Sequence, residues 1–451
     1  MNLNSRKALW ALCMSAFLVP FMGSALNLAL PEISETFSLK AVTLTWMATA
    51  YMLSTAIFQI PFARLGDLAG RKKVYIGGIL GFAVCSLLSG LATSGEVLIL
   101  CRFLTGLCSA MMFGTNLAIL SSHFPPEQRG VALGINTAVV YASLAAGPLL
   151  GGLLTHYFGW RSLFFITGAV GFLVAGMARL FIKGEWIESK GEKFDFIGAI
   201  IYGVALTGVI LGCTQLPKMY GFALVMVGIL AFVAFSIYEQ KCAFPLFNVK
   251  LFSRNRVFAL SSLSALINYA STSAIIFMLS LYLQYLRGYN AQHTGFILIS
   301  QASVMAIFAL LSGRLSNRYA PAWLATTGMG VIVVGLVGLI FLTQYSSVSY
   351  VVGILFLLGI GFGLFSSPNT NVIMSSVEKR YYGQASAVTG TMRQTGQALS
   401  MGIAGMAIAL NMGNQKLTPD LYPQFLSSMQ VTFIIFALLC VAGVFASSKR
   451  S

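Results

Sequence analysis

Long apolar stretches, separated by short polar ones, recur along the whole chain. Each has about 18 residues or more, enough for a helix to cross the hydrocarbon core of a bilayer with its backbone hydrogen bonds satisfied internally. Uninterrupted apolar runs of this length exclude a transmembrane β-barrel. The pattern predicts fourteen membrane-spanning helices, at roughly 8–30, 41–62, 74–94, 96–120, 130–155, 161–183, 196–213, 219–238, 257–286, 293–312, 322–343, 348–368, 384–410 and 426–447.

The composition supports a membrane protein embedded in the lipid bilayer. Of the 451 residues, 57% are hydrophobic and only 9% are charged, and the mean hydropathy is +0.83. A soluble domain of this length does not have such a composition. The first apolar stretch follows Arg6 and Lys7, as in a signal peptide. It is longer than a usual signal core and has no clean cleavage site, so it is predicted to be the first span.

The basic residues are distributed unequally between the two sets of loops. The two termini and the even-numbered loops carry 21 Lys and Arg residues, whereas the odd-numbered loops carry five. The positive-inside rule therefore predicts a multi-pass protein of the cell membrane (the plasma or inner membrane) with both termini in the cytoplasm. The same asymmetry accounts for the net charge of +16, so the charge does not indicate binding to nucleic acid.

This orientation gives a direct expectation for the C-terminus. A reporter that is active only outside the cytoplasm, fused after Ser451, should stay inactive in intact cells. An active reporter would mean that the number of spans is wrong by an odd number.

The spans divide into six, two and six. The longest polar segments, 183–195 and 239–256, flank the seventh and eighth spans, and a weak repeat relates "ARLGDLAGRKK" (63–73) to "GRLSNRYA" (313–320). Transporters are often built from repeated halves. The predicted domains are an N-terminal bundle (1–183), a two-helix insertion (184–256) and a C-terminal bundle (257–451). No segment resembles a soluble catalytic domain, and the scattered cysteines predict neither a disulfide nor a metal site.

Several motifs resemble the major facilitator superfamily. "GDLAGRKK" (66–73) resembles its signature loop between the second and third helices, and "RFLTGLCSA" (102–110) is similar to its fourth-helix motif, with Thr105 where Gln is common. "AAGPLLGGLL" (145–154) resembles the fifth-helix motif associated with antiporters. The fourteen-helix branch of drug:proton antiporters is similar in three further segments, "GWRSLFFI" (159–166), "LYLQYLRGY" (281–289) and "MRQTGQALSMGIA" (392–404).

The resemblance covers nearly the whole chain. It implies an all-α polytopic membrane protein with the major facilitator fold, in which two six-helix bundles are joined by two extra helices. Such a protein moves substrates by alternating access and is not an enzyme.

The loop between the second and third spans is a candidate conformational gate. Its matching residues are Gly66, Asp67, Gly70, Arg71 and Lys72. Glycine permits a tight turn, and a carboxylate there can cap a helix or pair with a basic group across the two halves. A contact that holds one conformation and breaks in the other acts as a latch. The alternative interpretation is a set of positive-inside charges with one acid.

The fifth span is a candidate hinge or seal between helices. It contains Gly147, Pro148, Gly151 and Gly152. Proline removes a helical hydrogen bond and bends the axis, and Gly147 and Gly151 form a small-xxx-small face for close packing. Packing alone would explain the glycines, and the added proline favours a hinge or seal.

Two arginines, Arg102 and Arg393, lie inside predicted spans, whereas all twelve acidic residues fall in loops or at span ends. In "FMGSALNLALPEI" (21–33), which is similar to the first-helix pattern of the branch, Met22 stands where an Asp is usual. A buried cation needs carbonyls, polar neighbours, water or an anionic ligand. By the arrangement of the family, the predicted substrate cavity is lined by Met22, Asn27, Arg102, Asn116, Asn268, Gln284, Gln301, Asn369, Arg393, Gln394 and Gln397. For Arg393, a structural role between helices and direct contact with substrate both remain open.

Three functions are compatible with these residues. The first is an exporter of amphipathic small molecules, coupled to protons in an unusual way. The second is a transporter of an anionic or lipid-like metabolite without standard proton antiport, which the missing Asp and the two arginines favour over a pump for cationic drugs. The third, a membrane enzyme or receptor, needs a catalytic cluster or a signalling domain that the sequence lacks. A monomer without cofactor is predicted.

Overall fold

The computed structural model describes residues 3–216, 218–316, 318–378, 382–413 and 415–449. The basic residues Lys379, Arg380 and Arg450, counted above, lie outside these ranges. The long helices are α1 (Leu3–Phe37), α2 (Ala41–Ala69), α3 (Arg71–Gly90), α4 (Gly95–His123), α5 (Pro126–Phe158), α6 (Arg161–Phe181), α7 (Phe196–Gln215), α8 (Met219–Lys241), α9 (Arg256–Leu286), α10 (Ala291–Leu315), α11 (Pro321–Ile340), α12 (Val348–Ser375), α13 (Tyr382–Met412) and α14 (Tyr422–Ser448).

The all-helical, fourteen-span architecture is confirmed over the described residues, which include no strand. Thirteen of the helices there are long and apolar enough to cross a membrane. The remaining helix, α13, has 31 residues and is more polar because it contains Arg393 and its neighbouring amides. Polar caps begin several helices. Ser94 accepts a hydrogen bond from the backbone nitrogen of Val97, and Asn255 accepts one from that of Phe258. Such caps satisfy amides that the first helical turn leaves free.

The first six helices pack on one another, and so do the last six. The two groups meet mainly where α2 packs on α13 and α5 packs on α10, with smaller contacts of α1 with α9 and α10 and of α4 with α13. One side of the molecule holds the connections α2–α3, α6–α7 and α8–α9. We call it the basic face, because the predicted cytoplasmic loops carry most of the Lys and Arg residues. The connections α1–α2, α5–α6 and α9–α10 lie on the opposite face.

The hairpin of α7 and α8 packs beside both groups of helices. The Tyr202 hydroxyl on α7 donates a hydrogen bond to the backbone oxygen of Ala56 on α2, at 3.2 Å. One face of α7 also lies against α13, where a Cβ at Gly402 would be 3.2 Å from the methyl group of Thr214. The α7–α8 hairpin therefore covers the line along which α2 and α13 meet.

The ninth span is not the single helix that the sequence pattern predicts. It consists of Arg256–Ala270, a short turn, Ala274–Leu281 and a π-helical turn at Tyr282–Leu286. At the break, the Ser400 hydroxyl of α13 accepts a hydrogen bond from the backbone nitrogen of Ala274, at 3.0 Å. An irregular backbone is tolerated at membrane depth when protein groups satisfy it, as Ser400 does here.

Candidate functional site: two arginines between the bundles

Arg393 lies where the two six-helix groups face each other. It projects from α13, and its guanidinium carbon lies 5.2 Å from the ring centre of Phe113 on α4. The phenols of Tyr51 on α2 and Tyr141 on α5 are within electrostatic range of its charge. Tyr141 also reaches across to α12, where its hydroxyl is 2.7 Å from that of Ser366. The side chain of Arg393 is only partly buried, so it remains accessible to a ligand.

Arg102 is fully buried beside the same tyrosine. Its side chain is 1% exposed, and its guanidinium carbon is 4.4 Å from the ring centre of Tyr51. Its Nε donates a long hydrogen bond of 3.4 Å to the backbone oxygen of Met47, whereas Nη1 has no hydrogen-bond partner. The ring face and one carbonyl therefore supply the neutralising interactions that an acid would otherwise give.

No carboxylate compensates these two charges among the side chains that the structure describes. The ion pairs found there join Arg64 to Glu192 and Arg71 to Asp67 and Glu188, all near the basic face. Among the described residues, several polar atoms around the arginines lack partners, including Arg102 Nη1 and the side-chain oxygen of Gln394, whereas the Tyr51 hydroxyl lies within hydrogen-bonding reach of Ser109 and Thr55. The arrangement is a positively charged site with unused hydrogen-bonding groups, as suits an anionic or polar ligand.

The sequence analysis identified both arginines but not their aromatic neighbours. Tyr51, Phe113 and Tyr141 come from three other helices, and no motif connects them with Arg393. The only available signal was the position of each aromatic side chain inside a predicted span, which is common in membrane helices.

Only some of the other predicted cavity residues lie between the bundles. The Gln284 side chain donates to the backbone oxygen of Leu28 at 3.3 Å, and the Ser280 hydroxyl donates to the backbone oxygen of Asn27 at 2.7 Å. Both hydrogen bonds join α9 to α1. On α13, Gln394 is buried and Gln397 is half-buried, close to Arg393 in sequence.

Three other predicted lining residues, Asn116, Asn369 and Gln301, are packed inside one bundle in this structure, and their role in lining the cavity stays a prediction. Asn116 donates to the backbone oxygen of Leu12 at 3.1 Å, and Asn369 donates to that of Ser261 at 3.2 Å. Each bond joins two helices of the same bundle. Gln301, which is 7% exposed, lies where α10 packs closely on Gly359 of α12.

Met22 also lies away from the arginines. It is 1% exposed, and its sulfur is 3.8 Å from the Thr167 hydroxyl of α6. The helix turns this position toward the interior of the N-terminal bundle, so an acid placed here would be buried against α6. Asn268 is completely buried, and both polar atoms of its side chain lack partners beside the break in α9.

The predicted seal residues of α5 lie at close helix contacts. A Cβ at Gly151 would be 2.7 Å from the Cα of Ala25 on α1, and Gly147 packs against Ser24. A Cβ at Gly152 would be 2.5 Å from the backbone oxygen of Ala291 on α10. The backbone oxygen of Pro148 lies so near Gly295 of α10 that it would also contact a Cβ at that position. Gly152 and Pro148 thus belong to a tight seam between the bundles near the opposite face.

The predicted gate residues lie on the basic face. Asp67 Oδ1 accepts a hydrogen bond from Arg71 Nε at 2.7 Å, and Arg71 Nη1 reaches Ser122 at 2.9 Å and Glu188 at 3.2 Å. Gly70 has a φ of +114°, and a Cβ there would lie 2.7 Å from the carboxyl carbon of Glu185, so only glycine fits.

Two further contacts involve the end of α2 and the start of α3. The Lys72 backbone nitrogen donates to Glu185 Oε1 at 2.8 Å, and Gly66 approaches Thr115 of α4, since a Cβ at Gly66 would be 2.7 Å from the Thr115 methyl group. Among the described residues, the contacts of the loop are thus with α4 and the α6–α7 connection, and a latch across the two halves stays a prediction.

These observations define a polytopic membrane transport protein, in which two packed bundles enclose a polar, charged site. The family model of the Major Facilitator Superfamily matches residues 12–401, and the chain belongs to this superfamily. It is a transporter and not an enzyme.

Two relatives and one solved structure are similar to the chain over most of their length. The riboflavin transporter RibZ of Clostridioides difficile is 26% identical over 436 residues, which cover 96% of this chain and 94% of that protein. The multidrug resistance protein Stp of Mycobacterium tuberculosis is 29% identical over 416 residues, or 91% and 77% of the two chains. A bacterial homologue of the human lysosomal transporter Spinster, in an inward-facing conformation, has the same fold with a TM-score of 0.72 at 18% identity, covering 100% of this chain and 98% of that chain.

Proposed function

We propose that this protein exports amphipathic small molecules across the cell membrane by alternating access between the two bundles. The predicted domains 1–183 and 257–451 would be the moving bodies, joined by 184–256, in a monomer with both termini in the cytoplasm. The relatives named for multidrug resistance support export of small molecules. The apolar helices around a polar inter-bundle site suit a substrate with an apolar body and a polar head group.

The observation that carries the substrate class is the pair Arg102 and Arg393 without a carboxylate. A site surrounded by low dielectric amplifies this positive potential. It disfavours permanent cations and favours anionic, zwitterionic or neutral polar-headed amphiphiles. The same observation favours a second candidate, transport of an anionic or lipid-like metabolite without standard proton antiport. In both cases the head group would bind Arg393.

The test is competitive transport in proteoliposomes, with matched anionic and cationic amphiphiles and with or without a pH gradient. Wild type should prefer the anion. Arg393→Gln should shift this preference toward the cation by about tenfold, which corresponds to a change of roughly 1.4 kcal/mol in the difference between the two binding free energies. Arg393→Lys should keep the preference and transport more slowly, because it loses the planar group stacked on Phe113.

Arg318→Gln is the matched control, because it removes the same charge from an exposed position on the basic face. The proposal would be contradicted if wild type preferred the cation and Arg393→Gln left that preference unchanged. Arg393 would then be a structural residue. A response to the pH gradient separates the exporter coupled to protons from the second candidate.

We also propose that the loop of Gly66, Asp67, Gly70, Arg71 and Lys72 is the conformational gate on the basic face. Its contacts with the α6–α7 connection would persist in one conformation and rearrange in the other. The support is that Arg71 is 13% exposed and is oriented by Asp67, so its position depends on one carboxylate.

A further inference from the structure

Two carboxylates are buried side by side at the base of the α7–α8 hairpin. Asp195 caps the start of α7 and is 8% exposed, and Glu239, near the end of α8, is 4% exposed. Both carboxylates converge on Gly198. A Cβ there would touch Asp195 Oδ2 and would lie 2.8 Å from Glu239 Oε1. The sequence pattern placed both acids at span ends, where carboxylates are usually solvated.

Neutral donors surround these carboxylates. Asp195 Oδ1 accepts hydrogen bonds from the backbone nitrogen of Gly198 at 2.8 Å and from the Tyr238 hydroxyl at 3.1 Å. Asp195 Oδ2 is 3.6 Å from the thiol sulfur of Cys242. Glu239 Oε1 accepts from the backbone nitrogen of Leu246 at 3.3 Å. The backbone amide of Phe247 also lies close to the Glu239 carboxylate, and Glu239 Oε2 is buried without a well-formed hydrogen bond among the described residues.

The nearest basic group does not neutralise the pair. Arg64 of α2 lies within electrostatic range of Glu239, but its ion pair is with Glu192, and its Nη1 donates to the Ser189 hydroxyl at 2.8 Å. Among the described side chains, the titratable groups that face the pair are Arg64 from α2, Tyr238 near the end of α8 and Cys242 directly after it. The rest of the described connection after α8 contributes backbone amides.

Two ionised carboxylates in this position would repel each other, because they are largely shielded from water and no described basic group pairs with them. Such a pair is strongly unfavourable, and adjacent acids commonly resolve it by binding one proton. Glu239, the more deeply buried of the two, is the group that can hold that proton, with the Asp195 carboxylate beside it. We propose that Glu239, packed against the Asp195 carboxylate, is a proton-binding site on the basic face, which holds one proton exchangeable with solvent at neutral pH.

The proton also bears on the segment that follows α8. Residues 242–249 connect the hairpin to the C-terminal helices. The hydrogen bond from the Leu246 amide to Glu239 holds this segment against the end of α8. Leu246 and Phe247 are buried in a cluster with Phe258 of α9 and Ile373 of α12. Loss of the proton leaves two adjacent anions, which loosens this connection. Binding of this proton therefore determines how firmly the α7–α8 hairpin is attached to the C-terminal bundle. This effect does not depend on which substrate is transported.

Infrared spectroscopy of the purified full-length protein in lipid tests the proposal directly. A protonated carboxyl has a C=O stretching band that a carboxylate lacks. Wild type at neutral pH should show this band, and Glu239→Gln and Asp195→Asn should each lose intensity equivalent to about one carboxyl group per chain. Glu188→Gln is the matched control, because it removes a 57% exposed acid that is paired with Arg71 and not with Arg64, and it should keep the band.

Hydrogen exchange of residues 242–249 gives a second measurement independent of transport. After correction for intrinsic rates, exchange in wild type should rise severalfold between about pH 6 and pH 9, because the bound proton is lost as pH rises. In Glu239→Gln the exchange should stay constant, since glutamine is neutral throughout. Absence of the carboxyl band in wild type would overturn the proposal. So would a band that neither substitution removes, or exchange that responds to added sodium or potassium instead of pH.

Discussion

Gly152→Val is expected to reduce transport at least tenfold while the protein still folds and inserts. Gly152 of α5 packs against the backbone of α10, where a Cβ would lie 2.5 Å from the carbonyl oxygen of Ala291. A backbone atom cannot rotate away as a flexible side chain can, so valine forces the two helices apart. Overpacking typically costs about 1–3 kcal/mol, which shifts the balance between conformations by roughly tenfold for every 1.4 kcal/mol. The measurement is initial transport rate in proteoliposomes at equal protein content.

Gly134→Val on the same helix is the matched control, because no described atom outside the local helix backbone lies within 4 Å of a Cβ at that position. It should transport at close to the wild-type rate. Equal rates for wild type and Gly152→Val would show that the seam between α5 and α10 does not need to close this tightly during the cycle.

Asp67→Asn is the second substitution with a large expected effect, again about tenfold or more in transport rate. Asparagine cannot supply the charged acceptor that holds Arg71 Nε at 2.7 Å, and charge-assisted hydrogen bonds are roughly twice as strong as neutral ones. Arg71 then loses the orientation that directs it to Ser122 and Glu188. Transport and thermal stability should be measured together, because a gate defect lowers the first and leaves the second nearly unchanged.

Glu188→Gln provides the comparison for Asp67→Asn. Its side chain is 57% exposed, and exposed ion pairs contribute little, so this variant should transport almost normally. A wild-type rate in Asp67→Asn at equal expression would reduce Asp67 to a surface charge.

The helices could be predicted from the sequence because membrane insertion depends on local composition. Each span needs about 20 apolar residues whatever its neighbours are, and the predicted spans correspond to helices in the structure. The break in α9 could not be predicted in this way. The turn after Ala270 depends on Ser400 of a distant helix, which accepts the hydrogen bond of Ala274.

The site was only partly predictable, because contacts between helices are not local. Arg102 and Arg393 were evident as charges in apolar stretches, but their aromatic neighbours come from other spans. The orientation of each helix about its own axis determines which neighbour the remaining side chains face. It directs Asn116 to α1 and Met22 to α6. In the same way, Asp195 and Glu239 have the sequence context of solvated loop acids. The segment after α8 contributes to the burial of Glu239, since the Leu246 amide donates to it.

The interruption of α9 divides one membrane span into two short rods with separate attachments. The rod Arg256–Ala270 packs on α13 and α14, whereas the rod beginning at Ala274 is tied to α1 by the Ser280 and Gln284 hydrogen bonds. The intervening turn is buried and is held by Ser400 of α13. The span is therefore anchored to the N-terminal bundle through its second rod and to the C-terminal bundle through its first rod and its turn, so a displacement of either bundle would be felt at this one point.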